Sequence, residues 1–215
     1  CRDVGFFYVV NHGVSGDVIE KCLDAMRWFF DQPDAVKDEV RMIGTRGYFG
    51  LGEEDLNGKD GFSRSKPRKG DWKEGFDCGV VVGGEDAWPS RRFRDAVVAY
   101  REAVLGVGLY ISRALALALG MEETFFTDRL KNPMATLRLL RYPARSGCGE
   151  HTDYGCCTIL FQDSDGLDVK IDGEWIAVPA RRDAFVVNIG DMMHRWTNGA
   201  FASTLHRVRR SEESS

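Results

Sequence analysis

Leu167-Asp168-Val169-Lys170-Ile171-Asp172-Gly173-Glu174-Trp175-Ile176-Ala177-Val178 reads as two strands joined by a two-residue turn. Asp-Gly is a strong hairpin signal because both turn residues must take the left-handed backbone region, which aspartate tolerates and glycine adopts freely. Outward from this hairpin, short runs of β-branched and apolar residues recur between turn-formers. Ala135 to Tyr142 and Cys157 to Gln162 precede it, and Ala184 to Ile189 and Ser203 to Arg209 follow it. Closely spaced short strands predict an antiparallel double-sheet sandwich or jelly roll from Pro133 onward.

The first half carries a different period. Phe6-Phe7-Tyr8-Val9-Val10 predicts one short strand that stops at Asn11-His12-Gly13. Ser15 then offers an N-cap, and Val18, Ile19, Cys22, Leu23, Met26, Phe29 and Phe30 recur at helical spacing. Thr45 to Asp86 is rich in Gly, Lys, Asp and Glu and predicts loops with short strands. A long helix is expected from Pro89 to Gly120 with a core stripe of Phe93, Val97, Val98, Val104, Leu105, Leu109 and Leu115, followed by a shorter helical stretch near Glu122 to Leu130. The fold class expected is α+β. Residues 1–132 would form a helical region with short strands, packed on a jelly-roll core at 133–215.

The 215 residues hold 43% hydrophobic and 29% charged side chains, with 29 Lys plus Arg against 33 Asp plus Glu. A formal charge of -4 gives no electrostatic reason for a nucleic-acid partner. The most apolar run, Val104 to Leu119, contains Arg113 and is too short for a bilayer, so it reads as a buried helix and no membrane partner is expected. The start, Cys1-Arg2-Asp3-Val4, lacks signal-peptide character and an initiating Met, which suggests that the chain begins within a domain. Cysteines 1, 22, 78, 148, 156 and 157 form no C-x-x-C pair, so reduced thiols and a cytoplasmic setting are expected. Adjacent Cys156 and Cys157 would leave opposite faces of a strand, as buried packing residues rather than ligands.

The chemistry-bearing candidates lie in the strand-rich half. His151-Thr152-Asp153 places an imidazole and a carboxylate two residues apart, so both can project into one cavity while Thr152 turns away. A second imidazole would complete a facial set of two histidines and one carboxylate, which leaves several positions of an iron(II) ion open. His12, His194 and His206 are the other histidines of the chain. The tripeptide alone is a common chance occurrence, and a strand histidine is more often structural.

Several separated segments together resemble the iron(II)- and 2-oxoglutarate-dependent dioxygenase family, in the group containing isopenicillin N synthase and the plant flavonoid and gibberellin oxygenases. They are Gly5-Phe6-Phe7-Tyr8-Val9-Val10-Asn11-His12-Gly13-Val14, Lys73-Glu74-Gly75-Phe76-Asp77, Leu137 to Pro143 with His151-Thr152-Asp153, Asn188-Ile189-Gly190-Asp191, Trp196-Thr197-Asn198-Gly199 and Ser203 to Val208, in family order. The resemblance implies that His151, Asp153 and His206 hold Fe(II), with His206 preferred over His194, which falls in an expected loop. His12 would be structural. It also implies 2-oxoglutarate as co-substrate, decarboxylated to succinate, with Tyr142 hydrogen-bonded to it. The family's Arg-x-Ser motif for the far carboxylate would fall beyond Ser215. Arg209, in Arg209-Arg210-Ser211, is an odd number of residues from His206 and so faces the other side of the strand. A chain lacking that strand would be incomplete, and the Ser211 to Ser215 tail is expected to be mobile.

The function expected is oxidation of a small organic molecule by hydroxylation, desaturation or ring closure, in a monomer. Trp72, Phe76, Phe161 and Trp196 are candidates for an apolar substrate pocket. Three alternatives stay open: a branch using ascorbate in place of 2-oxoglutarate, a zinc hydrolase built on the same triad, and a catalytically silent or truncated jelly-roll binding protein.

Overall fold

The structure, a computed structural model, describes residues 1–44, 46–54, 72–79, 88–130 and 133–210. Much of the stretch expected as loops between Thr45 and Asp86, and the tail at 211–215, lie outside the described residues. In chain order the elements are β1 (Phe6–Val10), α1 (Gly16–Phe30), α2 (Asp34–Asp38), β2 (Gly47–Phe49), β3 (Glu74–Cys78), α3 (Arg91–Ala118), β4 (Leu137–Arg141), β5 (Cys148–His151), β6 (Cys157–Leu160), β7 (Leu167–Ile171), β8 (Glu174–Ala177), β9 (Ala184–Ile189), α4 (Asp191–Trp196) and β10 (His206–Val208). Two compact units interleave along the chain. One gathers the described parts of Cys1–His12, Gly50–Glu74 and Tyr142–Ser215, and the other those of Gly13–Phe49 and Gly75–Arg141. The units are therefore not the sequential regions 1–132 and 133–215, because β1 forms its ladder with β9 rather than with its neighbours in sequence.

The helical unit is organised by α1 and α3. The Ser15 side chain accepts from Asp17 N at the start of α1, and Ser90 accepts from Phe93 N at 3.1 Å at the start of α3, each satisfying an amide that the first turn leaves unpaired. The buried face of α1 is Ile19, Cys22, Leu23, Ala25, Phe29 and Phe30, with Val18 and Met26 half-buried beside it. On α3 the buried residues are Phe93, Val97, Tyr100, Val107, Ile111, Leu115 and Ala116. The expected stripe drifted off this face: Leu109 is exposed and Val98 and Leu105 only half-buried, because the 93-97-100-107-111 series keeps helical phase and they sit one or two residues out of it. Residues 122–130 form a run of turns, not the expected helix. There the Thr127 hydroxyl donates to Thr124 O and the Thr124 hydroxyl to Asp128, local bonds that compete with a helical ladder.

Phe29 is fully buried and its ring meets Phe30, Tyr48, Phe76 and Phe93 at centroid distances of 5.2–5.8 Å. Phe76 is thus a core residue and not part of a substrate pocket. Strands β2, β3 and β4 form the sheet of this unit, and the Arg138 guanidinium on β4 reaches Asp77 on β3 at 2.9 Å.

The other unit is built on two antiparallel sheets, ordered β1-β9-β6 and β5-β10-β7-β8. The β7–β8 hairpin turns through Asp172 (φ 51°) and Gly173 (φ 87°), with Ile171 opposite Glu174, as the Asp-Gly signal requires. Every residue of β9 is buried, consistent with a strand flanked on both edges and covered on both faces. This is the jelly-roll part of an α+β fold; the residue patterns gave strand alternation at His151 but no bounds for β5, and they did not predict α4.

Truncating Phe29→Ala removes the hub of the aromatic cluster without touching the jelly-roll unit. Equilibrium urea unfolding should show a loss of about 3–5 kcal/mol; a loss below about 1 kcal/mol would mean that the cluster does not hold the helical unit together.

Candidate metal centre

The antiparallel register of β10 on β5 places His206 directly opposite His151. Their rings lie 4.3 Å apart between centroids, and the Phe6 ring from β1 meets the His206 ring edge-on at 5.4 Å. Asp153 follows two residues after the end of β5. One donor atom each from His151, Asp153 and His206 lies within 4.8 Å of the others, compact enough to surround a single ion. The three side chains are 16%, 23% and 9% exposed, so the cluster is sheltered but not sealed from solvent.

Local hydrogen bonds aim each donor. His151 Nδ1 lies 2.8 Å from Gly149 O and His206 Nδ1 3.1 Å from Thr204 O. A carbonyl only accepts, so in each ring the Nδ1 proton donates and the Nε2 lone pair is left for a metal. The two Nε2 atoms face the same oxygen, Asp153 Oδ1, at 3.9 and 3.5 Å. The other oxygen, Oδ2, accepts from Asn188 Nδ2 at 2.8 Å and from the Thr158 hydroxyl. Both helpers come from strands of the opposite sheet, β9 and β6, so the carboxylate has one oxygen anchored and one presented. Neither Thr158 nor Asn188 was assigned a role from sequence. Asn188 belongs to the Asn188-Ile189-Gly190-Asp191 motif, but only the fold shows which atom it holds.

The electrostatics agree with a ligand set. Burial opposes ionisation of Asp153, but the neighbouring His206 imidazole and the hydrogen bonds from Asn188 and Thr158 outweigh it and hold the carboxyl well below its usual range. Burial lowers the His151 imidazole below its ordinary 6.5, favouring the neutral form a metal needs. At His206 burial acts in the same direction, but the Asp153 carboxylate reverses it and the net shift is upward.

The segment after Asp153 is clamped to the start of α4 by backbone bonds. Asp191 N donates to Asp153 O at 2.7 Å, Gly190 N to Cys156 O at 3.0 Å and Met192 N to Tyr154 O at 3.2 Å. Such closeness needs glycine at 190, since a Cβ there would lie 2.2 Å from Gly155 O. His194 stands on α4 rather than in the expected loop, with Nδ1 2.6 Å from Phe201 O, and is outside the cluster. His12 packs on Phe185 at 4.4 Å.

Other candidates disperse. Tyr142 is half-buried just past β4. Arg209 and Arg207 both grip the buried Asp168, at 3.1 Å each, so Arg209 is an exposed surface arginine that also serves as a counter-charge to a buried carboxylate. Lys73 is 1% exposed, 2.9 Å from Glu54 and 3.5 Å from Cys148 Sγ. Burial pushes the Cys157 thiol to about 11, against a ligand role. Trp72 lines a cleft of about 450 Å3 with Pro143, Arg145 and Arg210, Phe161 packs on Phe185, and Trp196 is exposed on α4.

Fold and site together define a jelly-roll protein with an open two-histidine, one-carboxylate cluster. Residues 134–215 match the family model of the 2OG-Fe(II) oxygenase superfamily, and residues 1–96 match that of the non-haem dioxygenase in morphine synthesis N-terminal region. The chain is 37% identical to a 2-oxoglutarate-dependent dioxygenase of Penicillium crustosum over 97% of its own length and 70% of that protein. It is 36% identical to a homoarginine-6-hydroxylase of Arabidopsis thaliana, again over 97% of this chain but 63% of the relative, so it spans under two thirds of that protein's length. Among solved structures, a full-length Neurospora crassa protein in complex with alpha-KG (2-oxoglutarate) and thymine superposes with a TM-score of 0.85 at 28% identity, over 99% of this chain and 72% of that one. The chain belongs to the 2OG-Fe(II) oxygenase superfamily.

Because α4 docks through Gly190, Gly190→Ala should lower stability by about 1–3 kcal/mol in chemical denaturation. Gly155→Ala, whose added carbon meets nothing within 4 Å, is the control and should change it little.

Proposed function

We propose that this protein is an Fe(II)- and 2-oxoglutarate-dependent oxygenase of a small organic molecule, with His151, Asp153 and His206 as the metal ligands. The observation that carries the reading is the convergence of two Nε2 lone pairs on Asp153 Oδ1, with the remaining polar atoms of all three side chains already bonded to protein. Two neutral imidazoles and one carboxylate suit Fe(II) and leave coordination positions for a co-substrate and oxygen. When bound, the iron and 2-oxoglutarate supply the oxidising chemistry, in which decarboxylation to succinate and CO2 delivers two electrons to O2 while a substrate C–H bond is oxidised.

This chain's residues orient and shelter. Gly149 and Thr204 carbonyls hold the imidazoles in the required tautomer, Asn188 and Thr158 hold the carboxylate, and Phe6 covers one side of His206. Tyr142 is our choice for the hydroxyl that contacts 2-oxoglutarate, on its position at the end of β4 and on family resemblance. Arg209 is not chosen for the far carboxylate, because Asp168 already engages it. One relative is a homoarginine-6-hydroxylase and one structural neighbour binds thymine, both small molecules, and we infer a substrate of that size class. Among the described residues no helix is long and apolar enough to cross a membrane.

Anaerobic titration with Fe(II) and then 2-oxoglutarate should produce the visible charge-transfer band of a chelated keto acid. His151→Ala, Asp153→Ala and His206→Ala should each abolish the band and any Fe(II)-dependent succinate formation, whereas His194→Ala should keep the band. Zinc-dependent activity without iron, or equal iron loss in the His194 variant, would overturn the assignment.

Acid should weaken the site. His206 offers Nε2 only when neutral, and Asp153 raises its titration above the ordinary 6.5, so the proton begins to displace Fe(II) at a higher pH than for a free imidazole. Iron affinity measured between pH 8 and 6 should therefore fall as pH drops; an affinity flat across that range would contradict the role of His206.

A further inference from the structure

Asp191 touches neither histidine, yet its carboxyl group is bonded to both chain segments that deliver the ligands. Its Oδ2 accepts from the Thr152 hydroxyl at 3.0 Å, and Thr152 is the residue between His151 and Asp153. Its Oδ1 accepts from the Ser203 hydroxyl at 2.6 Å. Ser203 precedes Thr204, whose carbonyl receives the Nδ1 proton of His206 and whose own hydroxyl donates to Val4 O at 2.6 Å. The backbone amide of Asp191 itself donates to Asp153 O at 2.7 Å. One residue at the start of α4 thus holds the strand end that carries two ligands and the approach that carries the third.

We propose that Asp191 is a positioning residue for the metal site, setting the separation between the His151–Asp153 segment and the His206 segment through its two hydroxyl partners. The inference rests on the metal reading above and goes beyond it by assigning a function to a side chain that is not a ligand. Its physical basis is geometric. β5 and β10 share only the His206–His151 and Val208–Cys148 pairs, with an irregularity between them, so the ladder alone ties the segments at few points. Beyond that short ladder the chain leaves the strand on both sides, at Thr152 and at Ser203, and a rigid carboxyl bridging the two hydroxyls supplies the missing constraint. An acidic residue in the first turn of a helix also favours the helix for its own sake. That simpler role predicts lost stability alone, without any change at the metal.

The two roles separate experimentally. Co(II), whose visible ligand-field bands report coordination geometry, is titrated anaerobically into the wild-type protein, Asp191→Asn, Asp191→Ala, Thr152→Val, Ser203→Ala and the combinations of the last two with Asp191→Ala. Circular dichroism and thermal unfolding of the metal-free proteins run in parallel. None of these substitutions removes the backbone amide of residue 191 that donates to Asp153 O. The expected result is that both Asp191 variants remain folded, bind Co(II) about 10–100-fold more weakly and show shifted bands. Thr152→Val and Ser203→Ala should each give part of that loss and add nothing further once Asp191 is alanine. Wild-type affinity and bands in a folded Asp191 variant would overturn the proposal, as would hydroxyl losses that add fully to that of Asp191→Ala. If the Asp191 variants fail to fold, the two hydroxyl variants decide: unchanged affinity and bands in both would overturn it. Failure of the wild-type protein to bind Co(II) or Fe(II) would instead sink the metal reading itself.

Discussion

The antiparallel pairing of β10 with β5 is the constraint on which the site depends, because it brings His206 across from His151. The pairing is short, and β10 also pairs with β7, so His206 stands opposite Val169 on its other side. A strand held on both edges has little freedom to shift by one residue, and a one-residue shift would turn His206 away from the cluster. The buried carboxylate of Asp168, gripped by Arg207 and Arg209, reinforces the same register from the face opposite the histidine. Removing either arginine would leave a buried charge less well compensated.

Around that pairing, the second sheet acts as a scaffold for one side chain. β9 and β6 send Asn188 and Thr158 to a single oxygen of Asp153, and β1 sends Phe6 against His206. The site is therefore assembled where two sheets of one unit approach each other, with each ligand aimed by bonds to groups that are themselves fixed in strands. Preorganisation of this kind keeps the donor atoms converging on one point and lets binding of a cation proceed with little rearrangement.

Several motifs that mark the family in the sequence prove structural in the fold. Asn188-Ile189-Gly190-Asp191 supplies a carboxylate anchor, a close backbone approach and the start of α4. Within Lys73-Glu74-Gly75-Phe76-Asp77, Lys73 is buried against Glu54, Phe76 lies in the aromatic core and Asp77 meets Arg138. Their chemistry could be misread as catalytic from letters alone, since charged and polar residues in a motif invite that reading. Burial decides otherwise, because a charge sealed from solvent needs a partner and finds it inside the protein.

By itself the sequence determined the local elements and the family. Period-two apolar runs, Ser15 at the head of α1, and Asp172-Gly173 at a turn that needs left-handed backbone all depend on interactions within a few residues, and these matched the strands β1, β7, β8 and β9 and the helix α1 closely. The same local patterns placed the α3 stripe partly out of phase, gave strand alternation at His151 but no bounds for β5, and gave no sign of α4; both elements are short and held by bonds to distant segments. Tertiary structure decided which strands are neighbours, that β1 completes a sheet with β9 about 180 residues away, and that His151, Asp153 and His206 converge while His194 does not. Those outcomes follow from backbone hydrogen bonding and burial between segments remote in sequence, and side-chain periodicity along one strand carries no information about which other strand lies beside it.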